Sequence, residues 1–217
     1  MKVNMALSGG MDSAAVLAHF LSNGFQVECF GFQYGSKHNP FENPCAEAVA
    51  RWYGVPYTLL DLRPIMAGFR SNLMADGGAI PEGHYEAPTM NLTVVPGRNI
   101  IFLSILAGIA WSRGASLIGI GIHQGDHAIY PDCRVSFFQA MDLAIQKGTD
   151  GRVRLIAPFL STDKAGIVKW GIEHQVPFHL TRTCYKAQPL ACGKCGSCRE
   201  RIEAFEKNEI RDPVEYE

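Results

Sequence analysis

The feature that most constrains the fold is a short apolar strand that runs directly into a Ser-Gly-Gly turn near the start of the chain. Residues 2–7 are typical of a buried strand, and the apolar spacing of residues 12–22 predicts a helix directly after the turn. Glycines let backbone N–H groups approach a phosphate closely, and the hydroxyls of Ser8 and Ser13 add donors at the start of a helix. The turn therefore predicts a phosphate-binding loop, with an ordinary turn as the alternative.

The residues after the glycines exclude one large class of phosphate-binding proteins. No lysine follows the turn, as the P-loop of kinases and GTPases would require. Asp12 and Ser13 stand there instead. Together with the strand before the turn, they favour a nucleotide-binding loop of another type over an ordinary turn.

Five predicted strands alternate with helices, which is typical of an α/β fold with an open parallel sheet flanked by helices. The predicted strands cover residues 2–7, 25–32, 57–62, 116–122 and 153–157, and the predicted helices cover residues 12–22, 43–53, 98–113, 135–147 and 164–174. Between them, residues 63–96 contain Gly77-Gly78 and several prolines. This segment predicts a long irregular excursion over the strand ends, where function is often located.

Composition favours a small-molecule substrate. The chain has 217 residues, a formal net charge of −1 and 19% charged residues, so nothing indicates intrinsic binding to nucleic acid or to an anionic membrane. The longest apolar run, residues 100–111, is interrupted by Ser104 and is shorter than the roughly 20 residues of a membrane helix. The N-terminus lacks the pattern of a signal peptide. We therefore expect a cytoplasmic protein with no membrane partner.

Cysteine spacing predicts a metal site. Four of the seven cysteines, Cys184, Cys192, Cys195 and Cys198, lie within fifteen residues, with seven, two and two residues between them. Four thiolates form the closed tetrahedral shell of structural zinc, which leaves no open position for catalysis. An iron–sulfur cluster and a disulfide are the alternatives, and the cytoplasmic expectation disfavours the disulfide.

A second group of polar residues follows the fourth predicted strand, at the edge of the sheet where open α/β proteins bind ligands. Asp132 can accept hydrogen bonds from a guanidine-like N–H pair on a purine, Arg134 can bind a carboxylate or phosphate, and Tyr130 can stack. The alternative is a simple turn with a local Asp132–Arg134 ion pair. A metal held by His123, Asp126 and His127 is a weaker reading, because loop histidines more often form hydrogen bonds.

These signals occur in the order found in one known family. The sequence contains Ser8 to Ser13, Gln33-Tyr34-Gly35 with His38, Val95-Pro96-Gly97-Arg98-Asn99, Tyr130-Pro131-Asp132-Cys133-Arg134, and the four C-terminal cysteines. Over residues 5 to about 205 it resembles the 7-cyano-7-deazaguanine synthases, a QueC-like family among the ATP pyrophosphatases with an SGGxDS loop. The resemblance implies an adenine nucleotide alpha hydrolase-like fold.

The resemblance also implies an activity. Such an enzyme is a homodimeric, zinc-containing ligase that uses ATP and magnesium to adenylate 7-carboxy-7-deazaguanine. Ammonia then displaces AMP to give an amide, and a second ATP drives dehydration of the amide to the nitrile. The product feeds queuosine and related deazapurine pathways.

The same resemblance assigns roles to individual residues. On the ATP side it implies Leu7, Ser8, Gly9, Gly10, Met11, Asp12, Ser13, Arg98, Asn99 and Lys164. On the deazaguanine side it implies Tyr34, His38, His123, Asp126, Tyr130, Asp132 and Arg134. The zinc ligands would be the four cysteines. No general base for ammonia is obvious, although His38, His123 and His127 titrate in a useful range, and Cys133 is interpreted as a packed thiol.

The resemblance also assigns the domain boundaries. Residues 1–180 would form the ATP pyrophosphatase-type domain, and residues 181–205 its zinc-binding appendage. Residues 206–217 form a charged tail that we expect to be poorly ordered.

The segment before Tyr130 departs from the family pattern. His123, Ala128 and Ile129 replace the expected Asn, Ser and Gly, and Val135 replaces a proline. We expect these changes to lie in the pocket, which leaves three hypotheses open. The chain is a complete synthase, or a variant that stops at the amide or couples the activated acyl group to an amine on a protein or nucleic acid. The third hypothesis is a non-catalytic nucleotide-binding or zinc interaction module.

Overall fold

A five-stranded parallel sheet forms the centre of the molecule, as the sequence predicts. The computed structural model describes all residues, 1–217. The strands are β1 (Lys2–Ala6), β2 (Gln26–Gln33), β3 (Tyr57–Asp61), β4 (Leu117–Gly119) and β5 (Arg154–Ile156), and their order across the sheet is β3-β2-β1-β4-β5. All neighbouring pairs are parallel, and Met5 of β1 lies opposite Cys29 of β2 and Gly119 of β4. The strand order reverses direction at β1, so a crevice opens between the carboxyl ends of β1 and β4.

Helices cover both faces of this sheet. They are α1 (Met11–Ser22), α2 (Asn39–Tyr53), α3 (Arg63–Met66), α4 (Arg98–Arg113), α5 (Val135–Gly148), α6 (Lys164–Glu173) and α7 (Gly196–Glu206). One core layer packs α1, α2, α6 and α7 against side chains such as Val3 and Met5 of β1. The other packs α4 and α5 against side chains such as Phe30 and Phe32 of β2. No helix of the chain is both long and apolar enough to cross a membrane.

Two elements differ from the prediction for identifiable reasons. Helix α2 begins at Asn39 rather than at residue 43. Pro40 lies in the first turn, where its missing N–H has no intrahelical partner to lose, so proline is compatible with a helix start there. Strand β4 has only three residues instead of the predicted seven, and residues 120–122, which follow it, border a cavity.

The C-terminal region is more ordered than the sequence indicates. Helix α7 was not predicted, because its start lies within the cysteine motif. The expectation of a poorly ordered tail is wrong: Tyr216 forms a β-bridge with Ala191, and the backbone N–H of Glu217 donates to the Ala191 carbonyl at 3.0 Å. The charges of the tail hold it in place, since Asp212 forms an ion pair with Arg201 of α7 at 2.7 Å.

Arg201 is the largest fully buried side chain of the molecule, and its loss should destabilise the fold. It is 1% exposed and donates to Asp212, to Thr181 Oγ1 and to the Phe178 carbonyl. Arg201→Met leaves Asp212 buried without a cation, so we expect the free energy of unfolding to fall by about 3–5 kcal/mol. Urea unfolding followed by circular dichroism measures this change. The matched Arg211→Met, at an exposed position, should stay within about 0.5 kcal/mol of the unsubstituted protein, and equal midpoints for both variants would contradict the assignment.

Candidate active site

A cavity of about 1050 Å³, including its open mouth, lies at the carboxyl ends of β1, β2 and β4. Among the residues that the sequence singles out, its lining includes Ser8, Gly10, Asp12, Ser13, Tyr34, His38, Arg98, Asn99, Asp126, Tyr130 and Lys164. The lining does not include Leu7, Gly9, Met11, His123, Asp132 or Arg134. The structure therefore brings most of the predicted residues from both halves of the site into one space.

The Ser-Gly-Gly turn forms a preorganised loop at the start of α1. Ser13 Oγ accepts from the Ser8 backbone N–H at 3.3 Å and donates to the Gly10 carbonyl at 3.0 Å, and Ser8 Oγ accepts from the Gly10 N–H at 3.1 Å. No side chain caps α1. The first N–H groups of this helix are therefore free to bind an anion, and the helix dipole favours one there.

Gly9 fits this loop against α2. Its φ is +99°, a conformation that side chains rarely adopt, and a Cβ at this position would lie 2.3 Å from the backbone carbonyl oxygen of Glu42. Leu7 and Met11 on either side are fully buried and hold the loop from beneath. These three predicted residues serve the loop through backbone and packing rather than through side chains in the cavity.

Opposite charges meet beside the loop. Lys164, at the start of α6, lies 2.7 Å from Asp12 Oδ2 and 3.3 Å from Glu200 Oε2. Burial opposes ionisation of Asp12, but the charges of Lys164 and His123 outweigh it and hold its pKa below the ordinary value. Burial likewise opposes the charge on Lys164, but Asp12 and Glu200 raise its pKa. Both groups are therefore charged at neutral pH.

His123 and Asp126 lie on the side of this charged cluster that faces β4. His123 is 1% exposed, and its Nδ1 accepts from the Gly125 backbone N–H at 3.0 Å. Its Nε2 points toward Asp126, at 3.4 Å from Oδ2. Asp126 also accepts from the hydroxyl of Tyr85 at 2.8 Å. His123 thus supports the cavity wall from behind, while Asp126 faces the cavity.

A chain of polar side chains borders the opposite part of the cavity. Arg98 at the start of α4 donates to the Tyr34 hydroxyl at 3.2 Å, and this hydroxyl lies 3.2 Å from His38 Nε2. Glu42 follows one turn later on α2, with its Oε2 3.5 Å from the same nitrogen. Arg182 completes this part of the lining. Arg98, Glu42 and Arg182 thus line the same space.

Asp132 and Arg134 make structural contacts in this chain. Asp132 accepts from the backbone N–H of Asn99 at 2.9 Å, so it caps the first turn of α4. The Asn99 side chain in turn donates to the Asp132 carbonyl at 3.0 Å. Arg134 is exposed and donates to the His127 carbonyl at 2.9 Å instead of pairing with Asp132. Cys133 is 4% exposed, and burial raises the pKa of its thiol, as expected for a packed thiol.

The departures from the family pattern lie outside the cavity lining. Ile129 is 4% exposed within the core around α4 and α5, and Ala128 is on the surface. The expectation that these changes fall in the pocket is therefore wrong. His123 also lies outside the lining, but its Nε2 is 3.4 Å from Asp126 Oδ2 and 3.9 Å from Asp12 Oδ2, so this departure contacts two groups that line the cavity.

The four predicted cysteines form a candidate metal site. All four are buried and unpaired by disulfides, and their sulfur atoms lie within 4.8 Å of one another. Tetrahedral zinc with Zn–S bonds of about 2.3 Å would need sulfur atoms about 3.8 Å apart, close to this arrangement. The backbone N–H groups of Lys194 and Cys195 donate to Cys192 Sγ at 3.4 and 3.2 Å. Such donors offset the negative charge of a thiolate shell.

Arg182 joins the cysteine site to the phosphate loop. Its backbone N–H donates to the Gly9 carbonyl at 2.9 Å. Its guanidinium donates to the carbonyls of Lys186, Gln188 and Pro189, which lie between Cys184 and Cys192. One residue thus fixes the loop that precedes α1 and the chain segment that closes the cysteine cluster.

Comparison with known proteins agrees with this geometry. The model of the family "Queuosine biosynthesis protein QueC" matches residues 2–209. The chain belongs to the QueC family. It is 44% identical to 7-cyano-7-deazaguanine synthase 2 of Colwellia psychrerythraea over 216 residues, covering 99% of this chain and 98% of that protein. It is 42% identical to 7-cyano-7-deazaguanine synthase of Caldicellulosiruptor bescii over 217 residues, covering 100% and 98%.

Solved structures support the fold of this QueC-family chain. The NMN synthetase of Francisella tularensis superposes with a TM-score of 0.51 at 14% identity, covering 96% of this chain and 77% of that structure. The predicted subunit of a tRNA methyltransferase from Methanocaldococcus jannaschii gives a TM-score of 0.50 at 14% identity, covering 98% and 90%. At this identity the likeness concerns the fold alone.

Several side chains of the cavity and of the charged cluster beside it were not found from the sequence. They are Glu42, Tyr85, Arg182, Tyr185 and Glu200. Glu42 could have been found from the sequence if the start of α2 had been placed correctly. It lies four residues after His38, so the two side chains face the same side of the helix. The other four come from the excursion and from the segment around the cysteines, where no periodic pattern indicates which side chains face the cavity.

Replacement of one cysteine should release the metal. Cys195→Ser breaks a four-sulfur shell and removes metal-coupled folding energy, so we expect loss of bound metal and a lower Tm. Elemental analysis by mass spectrometry and differential scanning fluorimetry measure the two effects. Cys45→Ser is the matched control, because Cys45 lies outside the cluster. Unchanged metal content in Cys195→Ser would contradict the site.

Proposed function

We propose that this chain is an ATP-dependent ligase that adenylates the carboxylate of 7-carboxy-7-deazaguanine and converts it with ammonia, through the amide, to 7-cyano-7-deazaguanine. One observation carries the proposal: a preorganised phosphate loop and a set of buried cations face a single cavity in a QueC-family chain. No observation favours the variant or the non-catalytic alternatives, since the departures from the family pattern lie outside the cavity lining.

The N–H groups and the cation beside the Ser8–Ser13 loop support its assignment as the ATP site. Attack of a carboxylate on the α-phosphorus expels pyrophosphate, and cations with backbone N–H donors lower the energy of that developing charge. The Ser8–Ser13 loop supplies the N–H groups, and Lys164 supplies a buried cation beside it. Asp12 would help to hold magnesium, which takes carboxylate and phosphate oxygens. Asp12 Oδ1 is buried without a hydrogen-bond partner, which fits such a role. When bound, the ion neutralises phosphate charge.

The substrate side combines apolar rings with polar ends. Phe32 and Phe102 stack at 4.0 Å and, with Tyr34 and Tyr130, give the cavity flat walls that suit a planar heterocycle. Asp126 can accept from the guanidine-like edge of the base. Asp132 acts as a positioning residue, because it caps the helix start that carries Arg98. Arg134 and His123 support the turn that carries Asp126.

The remaining assignments belong to the same proposal. The four cysteines bind one structural zinc ion, which the sulfur-only ligand set supports. The protein acts as a homodimer in the cytoplasm, on small molecules and ammonia. Exposed apolar side chains on the neighbouring helices α4 and α5, such as Trp111 and Leu143, support self-association. The chain acts as one unit. Its main domain is residues 1–180, the cysteine segment 181–205 is an appendage of that domain, and residues 206–217 are the tail.

Mass spectrometry of a reaction mixture tests the activity. The protein is incubated with ATP, magnesium and 7-carboxy-7-deazaguanine, with and without ammonium. We expect AMP and the nitrile with ammonium, and substrate-dependent exchange of labelled pyrophosphate into ATP without it. Absence of the nitrile with ammonium and of pyrophosphate exchange without it would overturn the proposal. Accumulation of the amide, or a mass added to a protein, would favour the variant that stops at the amide or uses another amine.

Lys164 provides the matched test of the phosphate loop. Lys164→Met removes the buried cation beside Asp12, and we expect kcat for pyrophosphate exchange to fall by about 10²- to 10³-fold. Lys169→Met, on the exposed face of the same helix, should leave exchange unchanged. Equal rates for the two variants would contradict the role of Lys164.

A further inference from the structure

Amide formation needs a base that the sequence does not reveal. At neutral pH ammonia is present mainly as ammonium, which has no free electron pair. One proton must leave before the nitrogen can attack the activated carbonyl carbon. This inference rests on the proposed function, and the candidate bases are the titratable groups around the cavity.

Most of these groups are already occupied. Asp12 pairs with Lys164 at 2.7 Å, and Asp126 accepts from Tyr85 at 2.8 Å. Asp132 lies outside the lining and caps α4. His123 is also outside the lining, and its Nδ1 electron pair accepts the Gly125 N–H. Asp12 Oδ1 has no hydrogen-bond partner, but the charge of Lys164 holds the pKa of this carboxyl group below its ordinary value, so Asp12 is a weak proton acceptor.

His38 faces the cavity but is a poor base. Burial, together with the charges of Arg98 and Arg182, lowers its pKa to about 3, so the ring stays neutral and holds a proton weakly. Its Nε2 lies 3.2 Å from the Tyr34 hydroxyl. His38 is therefore suited to orienting a neighbour rather than to accepting a proton.

Glu42 is the carboxyl group that remains. It lines the cavity, it pairs with no lysine or arginine, and its nearest polar partner is His38 Nε2 at 3.5 Å. Its position is fixed because its backbone carbonyl packs against Gly9. Its Oε1 lies 3.7 Å from the point where a Cβ on Gly10 would stand, so the carboxyl group borders the loop expected to hold the nucleotide phosphates.

We propose that Glu42 is the binding site and the proton acceptor for ammonium in the amide-forming step, with His38 as its positioning neighbour. Ammonium transfers one proton to the carboxylate, and the free electron pair of ammonia forms a C–N bond to the acyl carbon. The C–O bond to AMP breaks and its electron pair leaves with AMP. The nitrogen loses its extra proton to water, and Glu42 returns its own proton to water.

Arg98 also lines the cavity, and its guanidinium donates to the Tyr34 hydroxyl beside His38. In the proposed step its charge would pair with the phosphate of the acyl adenylate, which leaves the Glu42 carboxyl group free for ammonium.

The charges around Glu42 suit a proton acceptor near neutral pH. Burial raises its pKa to about 8; the guanidinium groups of Arg98 and Arg182 act in the opposite direction, and Asp12 adds to the rise. His38, at the N-cap of the same helix, is neutral. The carboxylate fraction therefore increases as the pH rises through about 8, and the ammonium-dependent rate should rise with it.

Hydroxylamine separates the proton transfer from the other steps. It is unprotonated at neutral pH and attacks the acyl adenylate without a base, to give the hydroxamate and AMP. In Glu42→Gln we expect kcat/KM for ammonium to fall by about 10²-fold or more, and the inflection near pH 8 to vanish. Hydroxylamine-dependent AMP release and pyrophosphate exchange should stay within about threefold of the unsubstituted protein. Glu42→Asp, which keeps the carboxyl group, should recover part of the ammonium-dependent rate.

The control is Glu47→Gln, at an exposed position on the same helix, which should match the unsubstituted protein in every assay. Loss of ammonium and hydroxylamine use to the same extent in Glu42→Gln would overturn the inference, and so would full retention of ammonium use. Absence of pyrophosphate exchange in the unsubstituted protein would instead overturn the proposed function itself.

The pH dependence of stability checks the state of Glu42 without any reaction. A carboxyl group whose pKa is raised in the folded protein contributes stability that is present below its ordinary value of 4.5 and is lost as the pH rises through about 8. Glu42→Gln cannot lose this contribution. The Tm of Glu42→Gln relative to the unsubstituted protein should therefore increase between pH 5 and pH 9, as measured by differential scanning fluorimetry. A constant difference would contradict the raised pKa.

Discussion

The site depends on the connection that Arg182 makes between the phosphate loop and the cysteine cluster. A phosphate loop on its own is a flexible turn between a strand and a helix. Its backbone N–H groups can bind an anion well only if the loop keeps them in a fixed orientation. Here the Gly9 carbonyl is bound by the Arg182 N–H, and Gly9 packs on the backbone of α2. The guanidinium of the same arginine orders the segment between Cys184 and Cys192. The cysteine cluster is therefore connected to the phosphate loop through one residue, although it lies outside the cavity lining.

Buried charge is the second organising principle. Lys164 is shared between Asp12 and Glu200, and Glu200 lies on α7 two residues after the last cysteine. A charged group that is buried away from water needs an opposite charge nearby, and here the opposite charges come from elements far apart in the chain. The cluster is thus complete only when α1, α6 and α7 have all docked. Glu42 is the exception, since its carboxyl group has no cationic partner and keeps a free face toward the cavity.

Local patterns predicted the parts of the molecule that local chemistry determines. The strand, turn and helix around Ser8 to Ser13 appear as expected, and the five strands and the cysteine cluster follow from periodicity and spacing. Long-range partners did not follow from the sequence. Nothing near Asp132 indicates that it caps α4, and nothing near Arg182 indicates its contact with Gly9. The prolines after His38 hid the true start of α2, and with it the position of Glu42.

The contact between Gly9 and Arg182 also joins two residues that are synthesised far apart in time. The ribosome makes the phosphate loop among the first residues and the arginine that anchors it among the last. During synthesis the sheet can assemble from β1 to β5 while the loop still lacks its anchor and the cavity lacks one wall. The loop therefore gains its contact with Arg182 only after the sheet and the helices between these two residues have been made.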